Sequence, residues 1–147
     1  MTLSNWAENG WLKNHQTSPG EINNLKMLIE RDLNDCNTPG LSIDWRFAIA
    51  YNAALNCCIL TLFCKGYRPS KSAGGHYYTI QSLPLTIGKD YQNICDYLNT
   101  CRTRRNTSDY DMAGTISQKE LDRLLLTVNK LYQNILKWVR RYFPKLV

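Results

Sequence analysis

The eighteen residues FAIAYNAALNCCILTLFC, Phe47 to Cys64, limit what this chain can become more than any other stretch. A helix drawn through them is apolar on nearly every side, so it needs neighbours all round it. Its length sits at the lower limit for a membrane span, but Asn52 and Asn56 interrupt it, and Arg46 and Lys65 frame it. These polar residues favour a buried helix over a span. It begins near Ser42, ends at Gly66 with Pro69 beyond, and suits the centre of a bundle.

Partners for such a helix are written on both sides of it. SPGE, Ser18 to Glu21, supplies a capping serine, a proline at the first helical position and a glutamate at the third. Ile22, Leu25, Ile29 and Leu33 then recur every three or four residues until NTPG, Asn37 to Gly40, stops the pattern. After the central helix, RPSKSAGG reads as a flexible link into HYYTIQSLPLTIG, a short helix interrupted by Pro84. KDYQNICDYLNTCRTRRN follows, with Tyr91, Ile94, Cys95 and Leu98 on one face. A second capping box, SQKE from Ser117 to Glu120, opens the last helix. Its stripe runs through Leu121, Leu124, Leu125, Val128, Leu131, Tyr132, Ile135, Trp138 and Val139 to Tyr142, and Pro144 ends it. A short helix around Leu3 to Asn9, ended by Gly10, completes the set. No run alternates with period two, and no repeat is visible. The expected fold is therefore all-α, an up-and-down bundle of four to five helices forming a single domain over residues 1–147. A chain of this length hides about two-thirds of its unfolded surface, enough for one core.

The net charge of +6 fits an anionic partner, such as RNA, a nucleotide or an acidic protein, and it fits simple solubility equally well. Met1 to Asn14 carries Trp6 and Trp11 but no basic segment followed by an apolar one, so no leader peptide is expected and the cytoplasm is the expected location. The six cysteines form no CxxC pair: Cys57 and Cys58 are adjacent, Cys64 lies on the same helix, and Cys36, Cys95 and Cys101 stand apart. Reduced, mostly buried thiols are expected. Nothing resembles a phosphate loop, a zinc site or a nucleophilic triad, so no cofactor and no metal site is expected.

Chemistry concentrates in RTRRNTSDYD, Arg102 to Asp111. At about 100° per residue, Arg105 falls within about 20° of Leu98, Arg102 lies about 40° from the same line, and Arg104 turns about 120° away towards solvent. Arg102 and Arg105 thus continue the stripe that packs the core. Two rigid guanidinium forks at the open end of a bundle make an anion cleft. Basic residues in a last helical turn also favour its negative end with no ligand, by about 0.3 to 1 kcal/mol. Tyr110 reaches Arg105 only if the chain turns, and Asn106 to Asp109 is a turn-forming run. His76 follows a glycine pair, as a cleft residue or as a capping or surface histidine. His15 sits in a polar link and is expected to be uninvolved. Asp109 and Asp111 flank Tyr110 as solvated carboxylates, or as groups that fix an arginine or a cation. Asn52 and Asn56 need hydrogen-bond partners if buried, through an interhelical contact or at the cleft wall.

Arg105 and Asn106, with Tyr110 beyond, resemble the motif of the HEPN superfamily, an arginine often followed by asparagine and then a histidine four to six residues on. The ordered set LSIDWRFAIAYNAAL, GYRPSKSAGGHYYTIQSL and RRNTSDYD with ISQKE is similar to a prokaryotic branch in which tyrosine takes the histidine's place, and it covers most of the chain. The resemblance implies a helical bundle that forms a homodimer with the two motifs facing each other. It also implies metal-independent cutting of RNA in a toxin–antitoxin or defence setting. Arg105 and Tyr110 would be the catalytic pair, and Arg102, Arg104 and Asn106 would bind the nucleic acid. The alternative it implies is a catalytically silent helical protein paired with a nucleotidyltransferase or an antitoxin. Such cleavage needs an arginine on the scissile phosphate and a base for the ribose 2′-hydroxyl. A tyrosine titrates near 10, so its use as the base at neutral pH would need a shift of about three units, about 4 kcal/mol.

Overall fold

The computed structural model describes residues 1–71, 74–106 and 113–147. Helix α1 (Leu3–Glu8) leads through strand β1 (Leu12–Asn14) into α2 (Pro19–Asp35) and the central α3 (Ile43–Cys64). Strand β2 (Tyr67–Pro69), the short helices α4 (Gly75–Gln81) and α5 (Leu83–Thr86), and the long α6 (Gln92–Asn106) and α7 (Gln118–Tyr142) follow. The protein is an all-α helical bundle, as its periodicity requires.

The direction of each helix can be read from its contacts. Asn52 meets Asp32, and Arg46 Nε donates to the Cys36 carbonyl at 2.6 Å, so α3 runs against α2. The Arg123 guanidinium lies 4.1 Å from the centre of the Tyr97 ring while Arg104 reaches Glu120, so α7 runs against α6. Tyr51 lies near Arg105, and Cys58 near Cys95, so α6 also opposes α3. The long helices alternate up and down.

Helix α3 contributes thirteen buried residues, Phe47, Tyr51, Leu55, Cys58 and Leu62 among them, and 72% of its most apolar window is inside the protein. It is long and apolar enough to cross a membrane by length and composition alone, yet here it is the core element. Leu121, Leu124, Val128, Leu131 and Ile135 of α7 are each 0% exposed and meet it with the stripe expected of them. Each such side chain contributes about 1.5 to 3 kcal/mol on burial, which is why the polar neighbours follow rather than decide the packing. All six cysteines are free and buried. Burial pushes the thiols of Cys58 and Cys64 up to about 12, so they behave as small apolar side chains.

Two expectations need correcting. Residues 12–14 and 67–69 pair as a two-stranded antiparallel ribbon, with Leu12 opposite Pro69 and Asn14 opposite Tyr67. Three-residue strands are too short to show an alternation, so periodicity misses them. RPSKSAGG is accordingly no free link at its start, because Arg68 and Pro69 belong to β2. His15 is not idle either: its Nε2 pairs with Glu21 Oε1 at 2.8 Å, and its ring packs on Phe63 with centroids 4.5 Å apart.

Candidate functional site

The site is built where the C-terminal half of α6 passes the N-terminal half of α3 and the start of α4. Gly74 adopts φ +84°, a left-handed turn that glycine takes at no steric cost, and a side chain at Gly75 would meet the Ser70 carbonyl at 3.0 Å. The glycine pair therefore lets the chain turn tightly into α4 beside its own incoming strand. Thr79 and Ile80 are buried beneath α4, and Tyr78 stacks on Trp11 at 4.6 Å with its plane within 10°. Anchored in this way, α4 leaves His76 and Tyr77 exposed towards α6.

Two tyrosine rings then meet the two arginines. Arg102 lies over the Tyr77 ring at 5.7 Å from its centre, and its Nε donates to Asn99 Oδ1 at 3.0 Å. Arg105 lies over the Tyr51 ring at 5.5 Å. Cation–aromatic contacts of this kind help to hold a guanidinium in place. The hydroxyl of the buried Tyr51 stands 3.5 Å from Nδ1 of His76, the outer limit of a hydrogen bond, and the two ring centres are 6.2 Å apart. Two hollows flank this cluster. One, of about 400 Å³, is lined by Lys71, Gly74, Gly75, His76, Tyr77 and Arg102. The other, of about 200 Å³, is lined by Asp32, Trp45, Ile49, Asn52 and Arg105. Arg102 and Arg105 thus open on different hollows, bridged by the Tyr51 and His76 pair, rather than on a single cleft.

The electrostatics follow from this arrangement. Burial pushes the Tyr51 phenol up to about 12, against the pull of Arg105 and then Arg102, so it is a neutral hydroxyl at neutral pH. Partial desolvation, then the charges of Arg105 and Arg102, holds His76 below its ordinary 6.5, so its imidazole is neutral there too.

The remaining candidates divide clearly. Arg104 does not point to solvent: its Nε and Nη2 donate to the two Glu120 carboxylate oxygens at 2.9 and 3.1 Å, and Nη2 also donates to the Thr115 carbonyl at 2.6 Å. It ties α6 to the start of α7, and the placing of Glu120, in the first turn of α7, beside Arg104 is what the helical angle alone could not show. Asn106 is the last residue of α6 and is exposed. Tyr110, Asp109 and Asp111, with most of the proposed turn, lie outside the described residues. Asn52 makes the expected interhelical contact, donating to Asp32 Oδ2 at 2.8 Å, while also lining the Arg105 hollow. Asn56 is half-buried on the same face. Among the described residues, no group of three His, Cys, Asp or Glu side chains could hold a metal ion. The residue underweighted by sequence reasoning is Tyr51, hidden inside the apolar run; its one signal is a phenol hydroxyl one position before Asn52 in that run. Compared with family models, curated proteins and solved structures, the chain matches none.

Proposed function

We propose that this protein binds RNA or a nucleotide at the α6 end through Arg102 and Arg105, as a HEPN-type domain and a candidate metal-independent endoribonuclease. The observation that carries the reading is the pair of guanidiniums, each laid over a tyrosine ring and each lining a solvent-open hollow. Guanidinium forks suit phosphate oxygens, and neighbouring exposed rings such as Tyr77 and Trp45, 40% and 56% exposed, offer faces on which a base can stack. Lys71 adds a further cation to the Arg102 hollow.

The test is single-stranded RNA binding across a salt series, read by fluorescence anisotropy. Wild-type affinity should fall steeply with salt. Arg105→Ala should weaken binding about tenfold or more. Arg104→Ala should leave the affinity of the folded protein within about twofold and instead lower its melting temperature, because this side chain serves Glu120 and Thr115. Equal loss of affinity in both variants would reduce the site to a diffuse basic surface.

A second observation supports a different reading. Trp45, Ile49, Asn52, Asn56, Ile59 and Phe63 recur at alternating spacings of four and three along α3, and all are exposed or half-buried. So regular a seam on the most apolar helix suits another helix, either in a second copy of this chain or in a nucleotidyltransferase or antitoxin partner. On that reading the protein is a catalytically silent interaction module.

A further inference from the structure

Resting on the RNA-binding reading, we propose that His76 is the proton acceptor of this site, and that Tyr51 positions it. The geometry behind this is a histidine on Gly74 to Tyr77, a segment that faces the arginine-bearing end of α6. His76 lines the same hollow as Arg102 and Lys71, and its Nδ1 faces the Tyr51 hydroxyl at 3.5 Å. Tyr51 in turn lies beneath Arg105. A phosphodiester drawn to the guanidiniums would therefore meet a neutral imidazole rather than a competing cation.

The chemistry follows from which ring nitrogen is engaged. With Nδ1–H donating to the Tyr51 oxygen, Nε2 keeps its lone pair and is the nitrogen left for a ligand in the hollow. Nε2 takes the proton of a ribose 2′-hydroxyl. The resulting oxygen attacks the adjacent phosphorus, and the bond to the 5′-oxygen breaks. That leaving oxygen takes a proton from water, the hydroxide so formed takes the proton back from His76, and the products are a 2′,3′-cyclic phosphate and a 5′-hydroxyl. No oxidant or further reactant is required. Arg102, which lines the same hollow as His76, offsets the charge that builds on the phosphate oxygens, and the phenol oxygen of Tyr51 steadies the imidazolium once it forms. Among the described residues, the titratable and charged groups around His76 are Arg102 and Arg105 from α6, Tyr51 from α3, Tyr77 beside it on α4, and Lys71 before the turn. The cations among them favour the neutral, proton-accepting form, and partial burial does the same.

The experiment measures binding and cleavage separately on a fluorescent single-stranded RNA. Wild type should bind and should produce cyclic-phosphate ends, with kcat/KM rising with pH through a limb centred below 6.5. His76→Ala and His76→Gln should bind RNA within about twofold of wild type and cut it about 100-fold more slowly or worse. Added imidazole should restore part of the His76→Ala rate. His76 is exposed, so both variants should keep the wild-type circular dichroism and melting curve. Tyr51→Phe should move the acid limb to lower pH, a shift that a merely structural role would not cause. Binding without cleavage in the wild type, or full-rate cleavage by His76→Ala, would overturn the assignment of His76 while leaving the binding reading standing. Failure of the wild type to bind RNA at low salt would overturn both.

Discussion

Arg104 and Arg105 are adjacent in sequence and chemically identical, yet they do different work because helical geometry sends them to different neighbours. Arg105 rests on Tyr51 beside a hollow, whereas Arg104 grips both oxygens of Glu120. Glu120 is engaged twice over, since its Oε2 also accepts the Ser117 backbone N–H at 2.7 Å. The Arg104 hydrogen bonds, then the Ser117 amide, hold its carboxyl below the ordinary 4.5. A carboxylate with a depressed pKa in the folded protein contributes stability above its unfolded pKa and loses it as pH falls through the folded value. Wild-type stability should therefore decline as pH drops below about 4.5, in part through this group. Glu120→Gln should lower the urea midpoint at pH 7 and flatten the decline between pH 5 and pH 3. Because Glu120 is 38% exposed, solvent screening keeps the effect modest. A variant whose midpoints track the wild type at every pH would show that the pair carries no net stability.

At the scale of elements, three long helices begin with a serine whose hydroxyl accepts a backbone N–H three residues on, but the caps are not equivalent. Ser18, Ser42 and Ser117 accept from Glu21, Trp45 and Glu120 at 3.2, 3.1 and 3.1 Å. The box is reciprocal at α7 alone among these three, because at α2 the Glu21 carboxylate turns away to His15. Ser117→Ala should thus cost more than Ser18→Ala, about 1 kcal/mol against less, seen in thermal melts as a difference of a few degrees. The reverse order would mean that the reciprocal bond adds nothing. Caps and stripes are local and periodic, and so the starts of α2, α3 and α7 and the buried rows of α3 and α7 were legible in the sequence. The ribbon of Leu12–Asn14 with Tyr67–Pro69 was not, because strands this short depend on a contact made across the whole of α2 and α3. The site divides along the same line. Placing Arg102 and Arg105 on the core side of α6 needed only helical angles. The Tyr51 and His76 pair needed α3 and α4 to be brought together, through the left-handed turn at Gly74 and the stacking of Tyr78 on Trp11, and sequence spacing carries no record of either.

At the scale of the whole molecule, the central helix is shared between two tasks. Its inner faces bury Phe47, Tyr51, Leu55, Cys58 and Leu62, while the seam from Trp45 to Phe63 stays partly open. That seam runs past the Arg105 hollow, which Trp45, Ile49 and Asn52 help to line. A second copy laid along it with the two Trp45 ends together would bring the two Arg105 hollows towards one another, the arrangement that the HEPN resemblance implies. Burying Trp45 at such an interface removes a large apolar ring from water, and a carboxylate in its place would be stranded at the contact. Sedimentation velocity of the wild type at micromolar concentration should give a dimer, and Trp45→Glu should give a folded monomer with an unchanged circular dichroism spectrum. Leu126→Glu serves as the control: Leu126 is 73% exposed on α7, away from the seam, so this variant should remain dimeric. A wild type that sediments as a monomer at every concentration would remove the self-pairing reading and leave the seam to a different partner.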